Sequence, residues 1–220
     1  MEFIMQYKLF GDKDSDICLV QMVDRREEEV LQKEYDLITG HYRNAKPLLV
    51  AVMVKDWNKD LSPWEAPPAF GKEPFGGGGR DTLNFILEEL LPEIRKQYFP
   101  DKKDVKIVIG GYSLAGLFAL WSVYQTDVFS GCVAASPSVW FQDWIGYAQE
   151  NKCLTDTVYL SLGKKEPKTK NPVMRTVGDC IEKQAELLID KNVIFEWNEG
   201  NHFKDPDVRM AKGFVWTLSR

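Results

Sequence analysis

Residues 105–121, VKIVIGGYSLAGLFALW, constrain this chain more than any other stretch. Val105, Ile107, Val108 and Ile109 form an apolar, β-branched run of the kind that makes a buried strand. The run stops at Gly110-Gly111, and from Leu114 to Trp121 the chain continues as an apolar helix. Between them stand Tyr112 and Ser113. A serine on a strand-to-helix turn, flanked by the small residues Gly111, Ala115 and Gly116, describes a nucleophile elbow, in which the hydroxyl points out at the carboxyl end of the strand. The N–H of Leu114 faces the same space, where the helix N-terminus adds positive potential. The strict pattern is G-x-S-x-G; here it reads G-Y-S-L-A, with Gly116 one place later. An ordinary strand–turn–helix whose glycines only serve packing fits the same five residues, so the rest of the chain must decide.

That rest alternates strands and helices. Ile17–Val23 (ICLVQMV) reads as a strand and 26–39 as a helix with Val30, Leu31, Tyr35 and Ile38 at helical spacing. Residues 47–54 (PLLVAVMV) are a near-continuous apolar run, as expected of a parallel strand covered on both faces. Asp81 is placed to cap the next helix, whose stripe runs from Leu83 to Tyr98 with a kink at Pro92. After the elbow come a strand at Gly131–Ala135, a helix over 138–150, a strand at 157–162 and a helix behind Asn171-Pro172. A strand at 193–197 and a helix opened by Asp205-Pro206, with Val208, Ala211, Val215 and Leu218 inward, complete the chain. With no repeat and no internal linker, the expectation is a single α/β domain over 1–220, its mostly parallel central sheet carrying helices on both faces.

Residues 55–80 interrupt the alternation with a proline- and glycine-rich segment far longer than a usual connection. Its Trp57, Trp64, Phe70 and Phe75 argue for a structured loop folded over something, since disordered segments are poor in aromatics. The glycine run 76–79 is not followed by Lys-Ser/Thr, so a phosphate loop is excluded and close passage of backbone past a neighbour is expected.

A net charge of −5 and a pI of about 5.2 argue against nucleic acid or an anionic membrane as partner. No apolar run is long enough for a membrane span, and the first residues lack the pattern of a signal peptide. The cysteines (Cys18, Cys132, Cys153, Cys180) have no metal-ligand spacing; Cys18 and Cys132 read as core residues, and a reducing cytoplasm is the expected location.

Reactive groups in an open α/β fold gather at the carboxyl ends of the strands. A serine hydroxyl needs a neighbouring base, and the chain has two histidines. His41 falls at the amino end of a strand and reads as a surface or packing residue. His202, in GNHF directly after the last strand, falls on the same side as Ser113. The order nucleophile, acid, base then puts the acid after the strand 157–162, where Glu166 stands in LGKKEPK; Asp205 is a fallback, although capping explains it better, and a dyad without an acid is a further alternative. Beside the N–H of Leu114, the loop leaving the strand 47–54 is expected to supply a second oxyanion donor, with Trp57 as candidate. Trp64, Phe75, Tyr112 and Trp140 are candidates for contact with substrate, whose expected ester carries an aromatic or bulky apolar group, with packing of the long loop as the competing use of these rings.

The segments ELLPEI, GGYSLAGLFALW, ASPSVWF and GNHF, in this order and spacing, resemble the esterase D-type "putative esterase" branch of the α/β-hydrolase superfamily, close to siderophore (trilactone) and feruloyl-type esterases. The resemblance covers most of the chain from Pro47 onward. It implies an α/β-hydrolase fold and a serine esterase with Ser113 as nucleophile and His202 as base, cleaving a small-molecule carboxylic ester without metal or cofactor. Ala115 departs from the family's usual glycine, and the acid segment is not diagnostic. Two alternatives stay open: an acyltransferase using the same acyl-enzyme, as in the mycolyl-transfer enzymes of the superfamily, and a binding protein that keeps the fold without the reaction.

Overall fold

Parallel strands covered by helices on both faces must be apolar on both faces, and these strands are so residue by residue. The structure, a computed structural model, describes residues 5–11, 15–24 and 28–220. Its elements in chain order are β1 (Gln6–Phe10), β2 (Ile17–Val23), α1 (Glu28–His41), β3 (Leu48–Met53), α2 (Trp57–Asp60), β4 (Glu65–Ala66), β5 (Phe75–Gly76), α3 (Gly79–Phe85), α4 (Leu91–Tyr98), β6 (Lys106–Tyr112), α5 (Leu114–Gln125), β7 (Gly131–Ala135), α6 (Trp144–Glu150), β8 (Thr157–Gly163), α7 (Val177–Leu187), β9 (Asn192–Asn198) and α8 (Pro206–Leu218). The start expected for the first helix, at Arg26, lies outside the described residues. No helix of the described residues is long and apolar enough to cross a membrane.

The central sheet has seven strands in the order β1-β3-β2-β6-β7-β8-β9, and all neighbours are parallel except β1 with β3. From β2 the chain steps outward to β3, then returns past β2 to lay β6 on its other side, after which β7, β8 and β9 follow in order. The connections therefore part between β2 and β6. The crevice at the carboxyl ends of those two strands is where an open α/β sheet takes its ligand, and β6 leads straight to Ser113 there.

Side chains alternate across the sheet with period two. Val20, Val50, Ile109, Cys132 and Leu160 belong to the larger core, with residues of α3, α4, α5, α6 and α7. Leu19, Leu49, Val108, Val133 and Tyr159 belong to a second core, with Tyr35 and Ile38 of α1 and Met210, Ala211 and Phe214 of α8. Gly213 lets α8 come close: a Cβ there would lie 2.3 Å from Cγ1 of Val133 and 2.7 Å from the Tyr159 ring. Gly213→Val is therefore expected to lower stability by about 3 kcal/mol, the upper range for overpacking a core. Gly146→Ala, on an exposed position of α6 with open space around it, should raise stability by up to about 1 kcal/mol. Urea unfolding midpoints check both.

The long segment 55–80 is structured. It holds α2 and an antiparallel β4–β5 pair, and its rings fasten it to the segment that follows β7. Phe75 meets Phe141 edge-on at 5.0 Å, Trp64 packs on Tyr147 at 5.3 Å, and the Trp64 indole N–H donates to the Gln142 carbonyl at 3.1 Å. The glycine run passes hard against the backbone of residues 59–65; a Cβ on Gly77 would meet the Glu65 nitrogen at 2.8 Å.

Several local expectations differ from what is observed. Instead of a simple kink at Pro92, the helix widens into a π turn over Ile86–Leu90 just before it, giving room to a residue that lacks an N–H. Gly78, not Asp81, takes the cap position of α3, and Asp205 adopts φ 52° before α8 without a capping hydrogen bond. Asn171 does cap, accepting from the N–H groups of Val173 and Met174, but it opens a 3-10 turn; α7 starts only at Val177, and Val173 is exposed. Of 138–150 only Trp144–Glu150 is helical.

Candidate active site

The elbow is built by steric necessity. Ser113 holds φ 60° and ψ −122°, a conformation that L residues rarely adopt, and the structure over-determines it: its N–H donates to the Ala135 carbonyl at 3.1 Å and its carbonyl accepts from Ser138 at 3.0 Å. Gly111 must be glycine, because a Cβ would lie 2.3 Å from the Ala115 carbonyl oxygen. Ala115, where the strict motif has glycine, is fully buried and its methyl joins the larger core, so the departure is absorbed by packing. Leu114 opens α5, so its N–H has no partner within the helix and points to the side of the serine.

His202 and Glu166 converge on this turn from two neighbouring strand ends. The segments leaving β8 and β9 stay zipped together beyond the sheet, Lys164 N–H donating to the Asn198 carbonyl at 2.9 Å and Lys165 N–H to that of Gly200 at 2.9 Å. This brings Nδ1 of His202 to 2.7 Å from Oε2 of Glu166, while Nε2 of His202 lies 3.0 Å from Oγ of Ser113. Glu166 is buried, whereas His202 keeps 27% of its side chain open to solvent. Burial pushes the Glu166 carboxyl up, but hydrogen bonds and charge from His202, with further donors at Ser136 and the Gly163 N–H, outweigh it and hold the group below the usual glutamate range.

The other oxygen of Glu166 is held as firmly. Oε1 accepts from Ser136 Oγ at 2.7 Å, Gly163 N–H at 2.7 Å and Arg209 Nη1 at 3.0 Å. Arg209, on α8, is 2% exposed. The sequence reading passed over it, as it passed over Ser136, because an arginine in an amphipathic helix is ordinarily a surface residue.

The remaining candidates have these places. The Tyr112 ring is buried, and its hydroxyl donates to the His202 carbonyl at 2.8 Å while accepting from Arg209 at 3.0 Å. It braces the histidine segment, and burial pushes its phenol up to about 12. Trp64 and Phe75 fasten the long segment to the one after β7, and Trp140 is half-buried, 6.3 Å from Phe75. Trp57 is half-buried against the core at the start of α2. It follows β3, but the strand paired with β6 is β2. Trp57 therefore stands one strand further from the elbow than the end of β2. Asp205 makes no contact with His202, whose carboxylate partner is Glu166. His41 ends α1, exposed, with Nδ1 2.8 Å from the Leu37 carbonyl, and is no part of the site. Among the described residues no group of His, Cys, Asp and Glu is arranged to hold a metal ion.

Comparison with known proteins places these features among relatives. A family model described as "Putative esterase" matches residues 31–192. A siderophore enterobactin esterase of Emericella nidulans is 33% identical over 82 residues, covering 37% of this chain and 27% of the relative. The ferri-bacillibactin esterase BesA of Bacillus subtilis is 42% identical over 71 residues, covering 31% and 24%. The matched stretches thus span about a quarter of the length of these two curated relatives. Among solved structures, siderophore hydrolase EstA from Aspergillus nidulans superposes with a TM-score of 0.72 at 20% identity, covering 94% of this chain and 84% of that one. An IroE-like serine hydrolase from Shewanella oneidensis superposes with a TM-score of 0.75 at 18% identity, covering 96% and 75%. The fold is that of these α/β-hydrolases.

Proposed function

We propose, on the premise that this chain belongs to the "Putative esterase" family, that it is a serine hydrolase of carboxylic esters working through an acyl-enzyme. The observation that carries the reading is the unbroken chain from Oγ of Ser113 to Nε2 of His202 at 3.0 Å and from Nδ1 to Glu166 at 2.7 Å, with the serine held on a strained elbow. Ser113 Oγ attacks the ester carbonyl as His202 Nε2 takes its proton. Glu166 accepts the Nδ1–H, which fixes the tautomer and stabilises the imidazolium. The oxyanion is held by the N–H of Leu114 at the start of α5. His202 then returns its proton to the leaving alcohol and activates the water that releases the acid.

For the substrate we infer a bulky, negatively charged ester. The segment that carries Glu166 exposes Lys164, Lys165, Lys168, Lys170 and Arg175, a basic rim on a chain of net charge −5. The siderophore esterases and hydrolases among its relatives fit this, and siderophore esters are the first substrates to try. A reducing cytoplasm suits the four free cysteines.

The test is labelling with a fluorophosphonate probe, peptide mapping of the adduct, and mass spectrometry of the products from enterobactin and from p-nitrophenyl esters. Adduct on Ser113 and release of free acid are expected. Adduct with transfer to an added alcohol but no hydrolysis would make the protein an acyltransferase. An inert protein whose Ser113 resists the probe would leave a binding protein.

A further inference from the structure

The guanidinium of Arg209 touches both halves of the site without reaching the reacting atoms. Its Nη1 lies 3.0 Å from Glu166 Oε1, 2.9 Å from Ser136 Oγ and 3.0 Å from the Tyr112 hydroxyl. Its Nη2 donates to the carbonyls of Glu199 at 3.1 Å and Asn201 at 3.0 Å, the residues that lead into His202. Tyr112 passes the link on, donating to the carbonyl of His202 itself. A buried arginine is a heavy desolvation burden unless its charge and donors are met, and here two carbonyls, two hydroxyls and one carboxylate meet them. A planar fork suits this use and an ammonium does not, because the donors leave in fixed directions towards two different chain segments.

We propose that Arg209 is the positioning residue of the site: one fork that sets the acid Glu166 and the base His202 in register. The proposal rests on the esterase reading above. Its origin lies in the fold: α8 packs against β6, β7 and β8, so an inward arginine near its start reaches the ends of the strands that carry nucleophile and acid.

Two readouts separate positioning from mere packing. Lysine keeps the charge and loses the planar fork, whereas glutamine loses both the charge and the reach to the second chain segment. A misplaced acid and base lower kcat and leave KM in place, whereas a loosened fold moves both together.

The experiment measures kcat and KM for a p-nitrophenyl ester across the pH range for wild type, Arg209→Lys and Arg209→Gln, with Ser113→Ala alongside. Expected is a fall in kcat of about 10-fold for Lys, which keeps the charge but loses the fork, and about 100-fold for Gln, on the scale of lost supporting hydrogen bonds. KM should stay within about twofold. If kcat stays within threefold of wild type in both variants, or KM rises by as much as kcat falls, Arg209 is only a core residue. Should the Gln variant not fold, the Lys variant decides alone: the inference stands only if kcat falls about 10-fold while KM holds. An inert wild type would instead sink the esterase reading, a result the Ser113→Ala comparison separates from a failure of Arg209.

Discussion

Ser113→Ala is expected to lower kcat/KM for a p-nitrophenyl ester by about four to six orders of magnitude, and His202→Ala by nearly as much, because neither group works without the other. The double variant should be no worse than the poorer single one, since losses within one catalytic unit do not add. A third substitution turns the backbone of the elbow into a stability measurement. At φ 60° and ψ −122°, Ser113 carries strain that only glycine escapes. Ser113→Gly should therefore be more stable than Ser113→Ala by about 1 kcal/mol, the relief of strain exceeding glycine's larger entropy in the unfolded chain. Kinetics and urea unfolding on the same preparations read both effects. Retention of more than one-hundredth of wild-type activity by Ser113→Ala would remove the serine from the reaction, and equal stability of the Gly and Ala variants would show the elbow to be relaxed.

The elbow was legible because every level of the sequence agreed there: a β-branched run, a forced glycine at 111, and a helix whose apolar residues continue on all sides. His202 was legible by elimination in a chain with two histidines, and Glu166 by its place one strand earlier at the same end of the sheet. What stayed hidden depended on neighbours that are distant in sequence. Trp57 follows β3, and β2 lies between that strand and β6; strand order is a tertiary fact. Of the expected α8 stripe Ala211 and Leu218 are buried, but Val208 and Val215 are only half-buried, and Met210 and Phe214 face the core instead, which also turns Arg209 inward. Burial of that arginine is decided by carbonyls, hydroxyls and a carboxylate on four other segments, and no local pattern announces them. β1 is a short edge strand with partly polar alternation, QYKLF, and among the described residues it pairs with β3 alone.

Glu166 joins catalysis to stability, so its substitutions separate the two. In Glu166→Gln the amide oxygen can still accept from Gly163, Ser136 and Arg209, and the shape is kept. Its NH₂ then faces Nδ1 of His202 and demands an unprotonated nitrogen there, leaving the proton on Nε2, where it cannot accept one from Ser113. The expected result is a fall in kcat of about 10⁴-fold with little change in KM, as for loss of the correct tautomer. Glu166→Ala is worse for the fold, because it leaves the buried Arg209 without its carboxylate, and about 3–5 kcal/mol of stability should go with it. Acid closes the difference. The carboxyl is held below the ordinary glutamate range in the folded protein, so its contribution is complete above about pH 5 and is lost as pH falls through the folded value. Urea unfolding at pH 7 and again near pH 3 should therefore show a wild type clearly more stable than Glu166→Gln at the first and much nearer to it at the second. A gap that does not narrow in acid would mean that the carboxylate charge contributes nothing to holding His202 and Arg209 together.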